Sequence, residues 1–452
     1  MMKNKELSSF RDPSGYIYYE NNKVMRKVNK IYFKEYDHLM NSGLYDELIK
    51  KGLLIEHKEV KRNKDEIILE VNKIPYISYP YEWTFEELKE ASIVTLEINK
   101  IAMNYGMILK DASNYNIQFI GCKAVFIDTL SFMFYEENSP WGAYGQFSRH
   151  FIAPLVLMKN VDVRMNTLLK NYIDGIPLDL CTSILKNRGG LIGKLHIKLQ
   201  NKSIQKHNTD GSGEVKKITI KKQSIINMFI MIENQIKGLK LKKYNTEWMD
   251  YYDHSNYNDE SFLNKENIIK KFCGELKLKE EDIIFDLGAN DGRFSELVEK
   301  ELNKYVVAFD IDSNAVESNY LKNNSNILPL VMDFTNPSSG IGFSNSERKS
   351  FIERGNASLV LVLAFIHHLV ISNNLSFEMV ADFLSSITKY LIIEFVPKED
   401  SQVKVLLKTR NDIFDFYDID NFKKEFSKYF KIINEEKIGN SERTLFLMEV
   451  KR

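Results

Sequence analysis

Three aspartates stand at the ends of short apolar runs in the C-terminal half of the chain: Asp286 in "IIFDL", Asp310 in "YVVAFDI" and Asp333 in "LVMDF". Directly after the first comes "DLGANDGRFS", in which Gly288 and Gly292 flank Asn290. A strand, a tight glycine turn and a helix suit a phosphate or nucleoside pocket, because backbone amides and the positive helix end face the ligand there. A dinucleotide site would place a second glycine where Ala289-Asn290 stands, so no diphosphate cradle is visible. Asp310 lies 22 residues after Gly288, where a carboxylate accepts hydrogen bonds from two ribose hydroxyls. Asp312 competes for that role, but Asp310 ends the apolar run directly. Asp333 is placed to accept from an adenine amino group while Ile311 or Phe334 packs a ring face. Adenosine without phosphate is the ligand these residues imply.

With Asp286-Gly288-Gly292, Asp310 and Asp333 in this order, the segment from Asp282 to Arg452 resembles the class I S-adenosylmethionine-dependent methyltransferases. The resemblance implies S-adenosylmethionine as cofactor, held by these residues with Asn290, Ile311, Phe334 and Ala364. Asn290 departs from the more usual glycine, and its amide either holds the methionine carboxylate or braces the turn. Methyl transfer from a sulfonium is an in-line displacement, so collinear positioning and exclusion of water carry most of the catalysis. A hydroxyl or ammonium acceptor must still lose a proton. "AFIHHL" offers His367 and His368 as candidate bases just after the fourth apolar run. The competing reading is that one caps the next helix and the other packs. Glu394 and Asp400 in "EFVPKED" are weaker candidates for orienting the acceptor.

These residues need a frame. "IIFDL", "YVVAFDI", "NILPLVM", "SLVLVLA" and "YLIIEFV" are continuously apolar and alternate with helical or polar segments, the mark of strands buried on both faces. The expected fold is α/β, a doubly wound, mostly parallel Rossmann-like sheet. "KIINEEKIGNSERTLFLMEV" reads as a closing hairpin that supplies an antiparallel edge, preceded by a helix with Phe422, Phe426 and Phe430 as core. Helical periodicity in "KQSIINMFIMIENQIKGLKL" and "NKENIIKKFCGELKL" predicts helices leading into this domain. The polar stretch 200–223 is expected as a flexible linker or exposed loop, which sets the domains at 1–199, 200–223 and 224–452.

In the N-terminal half, "ILKDASNYNIQFIGCKAVFIDTLSF" carries Asp111 and Asn116 five apart, and Asp128 twelve further on. This resembles the catalytic loop and metal-binding segment of kinase-like phosphotransferases, which implies an α+β kinase-like domain and an N-terminal nucleotide site at Asp111, Asn116 and Asp128 taking Mg-ATP. Arg26 or Lys27, on the hairpin "SGYIYYENNKVMRKVNKIY", would pair with phosphate. Leu109 replaces the usual histidine and no glycine follows Asp128, so the resemblance implies a degenerate domain; a plain polar turn with Asp128 as a loop cap is the alternative. "FRDPSGY", "NSGLYDELI", "ISYPYEW" and "FIDTLSF" extend a resemblance over nearly the whole chain to bacterial methyltransferases related to rhizobial nodulation host-specificity proteins. That implies an accessory domain fused to a methyltransferase acting on a glycan, glycolipid or small molecule. Tyr79, Tyr81 and Trp83 either stack on sugar or base or are buried.

Composition bounds the partners. The 452 residues suggest two domains, and 62 basic against 62 acidic residues leave no field that would draw nucleic acid. Cys122, Cys181 and Cys273 lie far apart, which argues against a zinc site or a disulfide framework and suits a reducing compartment. The longest apolar run, "LVLVLAFI", is far short of the roughly 20 residues that span a bilayer. A cytoplasmic methyltransferase is expected, with a bifunctional kinase-methyltransferase and a cofactor-gated binding scaffold as alternatives.

Overall fold

The computed structural model of the chain describes residues 4–201, 219–241, 259–408 and 410–451. The chain forms two compact units, one of Met1–Phe119, Lys123–Lys243 and Gly340–Arg348, the other of Ile120–Cys122, Tyr244–Ser339 and Lys349–Arg452. The expected linker lies mostly outside the described residues. Of its ends, Gln200 and Asn201 are helical and Lys222 opens a helix.

The first unit carries a five-stranded antiparallel sheet in the order β1-β2-β3-β5-β4, with β1 Asn4–Lys5, β2 Gly15–Glu20, β3 Lys23–Asn29, β4 His57–Arg62 and β5 Glu66–Val71. The β2–β3 hairpin turns on Asn21 and Asn22, both at positive φ (51° and 62°), the primed-turn geometry that fits the strand twist and that asparagine tolerates. Helix α1, Phe85–Asn104, begins at a capping box in which Thr84 accepts from the Glu87 amide and Glu87 accepts from the Thr84 amide. It is buried along most of its length. Four short strands follow it in sequence, β6 Met107–Leu109 paired with β9 Phe132–Phe134, and β7 Ile117–Ile120 paired with β8 Lys123–Phe126.

One expectation about organisation is corrected here. The helix α2, Lys222–Lys237, belongs to the first unit and does not lead into the second. Its apolar stripe Ile225, Phe229, Ile232 and Ile236 is buried, the Phe229 ring meets Trp141 edge-on at 5.0 Å, and Glu233 pairs with Lys100 of α1. Helical periodicity reveals the stripe but not the surface that covers it. Tyr79, Tyr81 and Trp83 are buried as well; the Trp83 indole donates to Ser78 Oγ at 2.9 Å and meets Phe119 edge-on, so these rings are core rather than a stacking platform.

The second unit is built on a seven-stranded sheet ordered β12-β11-β10-β13-β14-β16-β15. The strands β10 Ile283–Leu287, β11 Tyr305–Asp310, β12 Ile327–Val331, β13 Ala357–Val362 and β14 Thr388–Phe395 are parallel, and all five fall on the predicted apolar runs. The hairpin β15 Phe430–Lys437 and β16 Thr444–Val450 closes the edge, with β16 antiparallel to β14. Alternate residues feed two cores. Ile284, Val306, Leu359 and Ile392 pack with Phe272, Phe294 and Val298, whereas Phe285 meets Phe309 and Phe351. Burial on both faces is why the runs are continuously apolar. Phe422 and Phe426 are buried on a helix that ends at Tyr429, and Phe430 opens β15.

From β10 the chain winds outward through β11 and β12 and then returns to β13 on the other side. The switch point therefore lies beside β10, and a crevice opens at the carboxyl ends of the strands there.

Phe229→Ala is expected to cost the first unit about 3–5 kcal/mol. Amide exchange should accelerate in Phe85–Asn104 and stay unchanged in Ile283–Leu287; acceleration confined to the second unit would contradict the assignment of this helix.

Candidate functional site

The crevice of the second unit is a cavity of about 400 Å³. The structure brings Asp286, Gly288, Asn290, Asp310, Ile311, Asp333, Phe334, Ala364 and His368 to its wall. Gly292 and His367 stand outside the lining.

The glycine turn is fixed by backbone requirements. Gly288 has φ 80°, and a Cβ there would lie 3.1 Å from the Phe365 ring. Gly292, at φ 83°, precedes the helix Arg293–Leu302, and a Cβ would lie 2.3 Å from the Asn319 amide nitrogen. It therefore supports the turn from behind rather than touching the cavity. Asn290 also takes a left-handed conformation, φ 50°, and its Oδ1 accepts from the Asp291 amide at 2.8 Å, which gives its carbonyl oxygen the bracing role.

Asp310 joins this turn to the second strand. Its Oδ2 accepts from the Asn290 amide and its Oδ1 from the Asp312 amide, each at 2.8 Å. Burial raises its pKa to about 6 against the stabilising pull of those amides. Asp312 takes a different job: it caps the helix Ser313–Leu321 through the Asn314 amide at 2.9 Å. Asp333 holds a local turn by accepting from the Thr335 amide at 2.8 Å and hydroxyl at 2.6 Å, beside Phe334. Ile311 is 58 % exposed, which leaves its side chain available to a flat ring.

Asp286 is buried beneath the turn and accepts from Ser295 Oγ at 2.6 Å. Desolvation raises its pKa to about 7, the neighbouring Asp310 adds to the rise, and Ser295 and Lys265 oppose it.

Lys265, which sequence reasoning missed, also lines the cavity. It comes from the helix α3, Asp259–Gly274, and its buried ammonium lies 2.6 Å from Glu394 Oε2 and 4.5 Å from the centre of the Phe294 ring. Burial lowers its pKa and Glu394 opposes the change. Glu394 is itself paired with Arg443 at 3.1 Å, and Arg443 with Asp400 at 2.8 Å. Glu394 and Asp400 thus form an ionic network with the buried Arg443, and neither lines the cavity. A lysine inside an otherwise amphipathic helix was the available signal, but such residues are usually solvated.

The two histidines separate. His367 is fully buried, neither ring nitrogen is hydrogen-bonded among the described residues, and desolvation together with His368 pushes its pKa well below the usual value. It packs against His368 and does not line the cavity. His368 does line the cavity, its ring centroid 4.1 Å from that of His367, with its pKa lowered to about 4 by burial and by Arg443. It is a neutral imidazole at pH 7.

In the first unit Asp111, Asn116 and Asp128 do come together. Asp111 accepts from the Ser113 amide at 2.9 Å, and its pKa is raised by burial and by Asp128. Asp128 is paired with Arg26 and accepts from Ser131 Oγ at 2.5 Å and the Leu130 amide at 3.2 Å; burial alone would raise its pKa, but Arg26 and these donors lower it. Lys27 pairs with Glu66 at 3.0 Å. The carboxylate expected to hold magnesium is thus neutralised by the arginine expected to meet phosphate. Among the described residues no group of three or more His, Cys, Asp or Glu forms a metal site, and Mg-ATP finds no support. Cys122, Cys181 and Cys273 are buried free thiols. Among the described residues no helix is long and apolar enough to cross a membrane.

Over 461 aligned residues the chain is 30 % identical to the nodulation protein NoeA of Rhizobium meliloti (strain 1021), covering 98 % of this chain and 95 % of that one. Among solved structures it is similar to a SAM-dependent methyltransferase from Aquifex aeolicus (14 % identity, 46 % of this chain and 100 % of that one, TM-score 0.31). It is also similar to the PH0226 protein from Pyrococcus horikoshii OT3 (18 % identity, 45 % and 99 %, TM-score 0.32). No family model matches the chain.

The raised pKa of Asp286 fixes a sign. Between the ordinary carboxylate value of 3.8 and about 7 the folded state keeps a proton that the unfolded state has released, so this group's contribution to stability declines as pH rises through that window. Asp286→Asn should raise Tm at pH 8, by roughly 2–4 °C per kcal/mol of charge-burial cost removed, and by less at pH 5. Thermal melts at the two pH values decide it, and a variant no more stable than wild type at pH 8 contradicts the reading.

Proposed function

We propose that this chain, which belongs to the family of the nodulation protein NoeA, is an S-adenosylmethionine-dependent methyltransferase. The observation that carries the reading is the convergence of Asp286, Asp310 and Asp333 on one cavity at the switch point of a doubly wound sheet, beside a turn that Gly288 leaves open. The wall fits an adenosine: Asp310 offers carboxylate lone pairs to ribose hydroxyls, Asp333 accepts from an amino group, and Ile311 and Phe334 supply apolar surface for the ring. When bound, the cofactor supplies an activated methyl group on a sulfonium.

The chain's own residues then have two tasks, to fix that group and to exclude water. Ala364, at φ 50°, turns the backbone at the end of β13, and beyond it His368, Ser372, Asn373 and Leu406 form the part of the wall assigned to the acceptor. With its pKa near 4, His368 orients an acceptor hydroxyl by accepting its hydrogen bond and is a poor base ahead of transfer. In-line alignment supplies most of the rate. The acceptor is a glycan, a glycolipid or another small molecule, consistent with a relative named for nodulation. The first unit is read as an accessory domain, and the cytoplasm as the place of action.

Asp310→Ala should weaken S-adenosylhomocysteine binding at least about tenfold, the loss of one or two hydrogen bonds to a charged acceptor. Gly288→Asp should abolish binding and with it transfer of labelled methyl to extract components. Wild-type affinity in both folded variants would overturn the site.

A further inference from the structure

The stretch of cavity wall beyond β13 carries no formal charge. Among the described lining residues the charged side chains are Asp286, Asp310, Asp333 and Lys265. The three carboxylates stand at or just beyond the ends of β10, β11 and β12, and Lys265 enters from α3 already held by Glu394 at 2.6 Å. Beyond β13 the wall is built instead from His368, Leu369, Ser372 and Asn373, together with Leu406 of the helix Ser401–Lys408. These residues offer neither a carboxylate to hold an ammonium nor a cation to hold an acid.

One π-helical turn, His368–Ser372, supplies most of this stretch. The widened turn brings His368, Leu369 and Ser372, with Asn373 directly after them, to one cavity, and it leaves backbone carbonyls without their regular helical partners. Side chains take up two of them: Asn373 Nδ2 donates to the His368 carbonyl at 2.8 Å, and Arg410 Nη1 donates to that of Ile371. The turn is thereby fixed, and Asn373 Oδ1 and the Ser372 hydroxyl are its groups for a ligand, beside the apolar Leu369 and Leu406. A polar edge next to an apolar patch matches a sugar ring or a similar polyol, which carries hydroxyls on its edge and C–H groups on its face.

We propose that this turn selects an uncharged polyol as the methyl acceptor, with His368 receiving the hydroxyl that reacts and Ser372 with Asn373 a neighbouring one. The proposal rests on the methyltransferase reading and narrows its acceptor to one functional group. The hydroxyl oxygen attacks the methyl carbon with a lone pair, a C–O bond forms, and the S–C bond breaks with its electron pair returning to sulfur as a neutral thioether. Once the oxygen carries the methyl it is a strong acid, and its proton passes to His368, whose pKa of about 4 suffices at that stage. An ammonium acceptor fails on the same wall: it must lose its proton before nitrogen has a lone pair to attack with, and so weak a base does not take it. A carboxylate acceptor needs no base, but it would meet an imidazole that is neutral at pH 7 and no cation on this stretch.

The test incubates the full chain with methyl-labelled S-adenosylmethionine and a bacterial extract separated into neutral, anionic and cationic fractions, and follows the chemical fate of the label. The expected product arises from the neutral fraction, stays uncharged on ion exchange and keeps its label through mild alkali, as an alkyl ether does. Label released by alkali as methanol marks an ester, and label retained on a cation exchanger marks a methylamine; either overturns the polyol assignment and leaves the methyltransferase reading standing. Transfer to no fraction overturns both. With the ether-forming fraction as substrate, Ser372→Ala should raise the acceptor KM about fivefold, the scale of one uncharged hydrogen bond, while S-adenosylhomocysteine binds as in wild type. An unchanged acceptor KM, or a parallel loss of S-adenosylhomocysteine affinity, would show that this turn does not read the acceptor.

Discussion

Asp286 and Asp310, gathered where parallel strands end, repel each other and are expensive to bury, and much of the second unit's construction compensates for that cost. Asp310 is stabilised by two backbone amides at 2.8 Å, Asp286 by Ser295 at 2.6 Å, and Asp333 by the Thr335 amide and hydroxyl. Deeper in the same unit Lys265, Glu394, Arg443 and Asp400 form a balanced chain of charges. Even so, Asp286 and Asp310 retain pKa values of about 7 and 6. Acids held at raised pKa values in a crevice are characteristic of sites that spend stability on binding.

The glycine turn belongs to the same arrangement. Asn290 can donate its amide to Asp310 because Gly288 and Asn290 both take positive φ, which lifts the backbone over the ends of the first two strands. Gly292 then closes the turn against Asn319 and starts the helix Arg293–Leu302. The acid and the turn stabilise each other, so the spacing from Gly288 to Asp310 is a property of the fold as well as of the ligand.

How much of this was legible in the sequence follows from how local each signal is. Five buried strands could be read because burial on both faces leaves continuous apolar runs, and the aspartates closing them mark the sheet's carboxyl edge. Lys265 could not be read that way, since a lysine on an amphipathic helix looks the same whether it meets solvent or a glutamate 129 residues away. The same limit hid the partner of Lys222–Lys237: its stripe is periodic, but Trp141 and Lys100 are distant in sequence. For the adjacent His367 and His368, residue type suggested a base, whereas burial decides protonation, and only the second reaches the cavity. In the first unit Asp111 interacts with Asn116 and Asp128, but the Arg26 pairing that neutralises Asp128 joins residues 102 apart.

The central claim concerns what fills the cavity and in which direction, and the most direct measurement is a crystal structure of the chain grown with S-adenosylhomocysteine. The account predicts ribose hydroxyls on Asp310 and the adenine amino group on Asp333. A nucleoside bound in the reverse direction, or one bound outside this cavity, would contradict it.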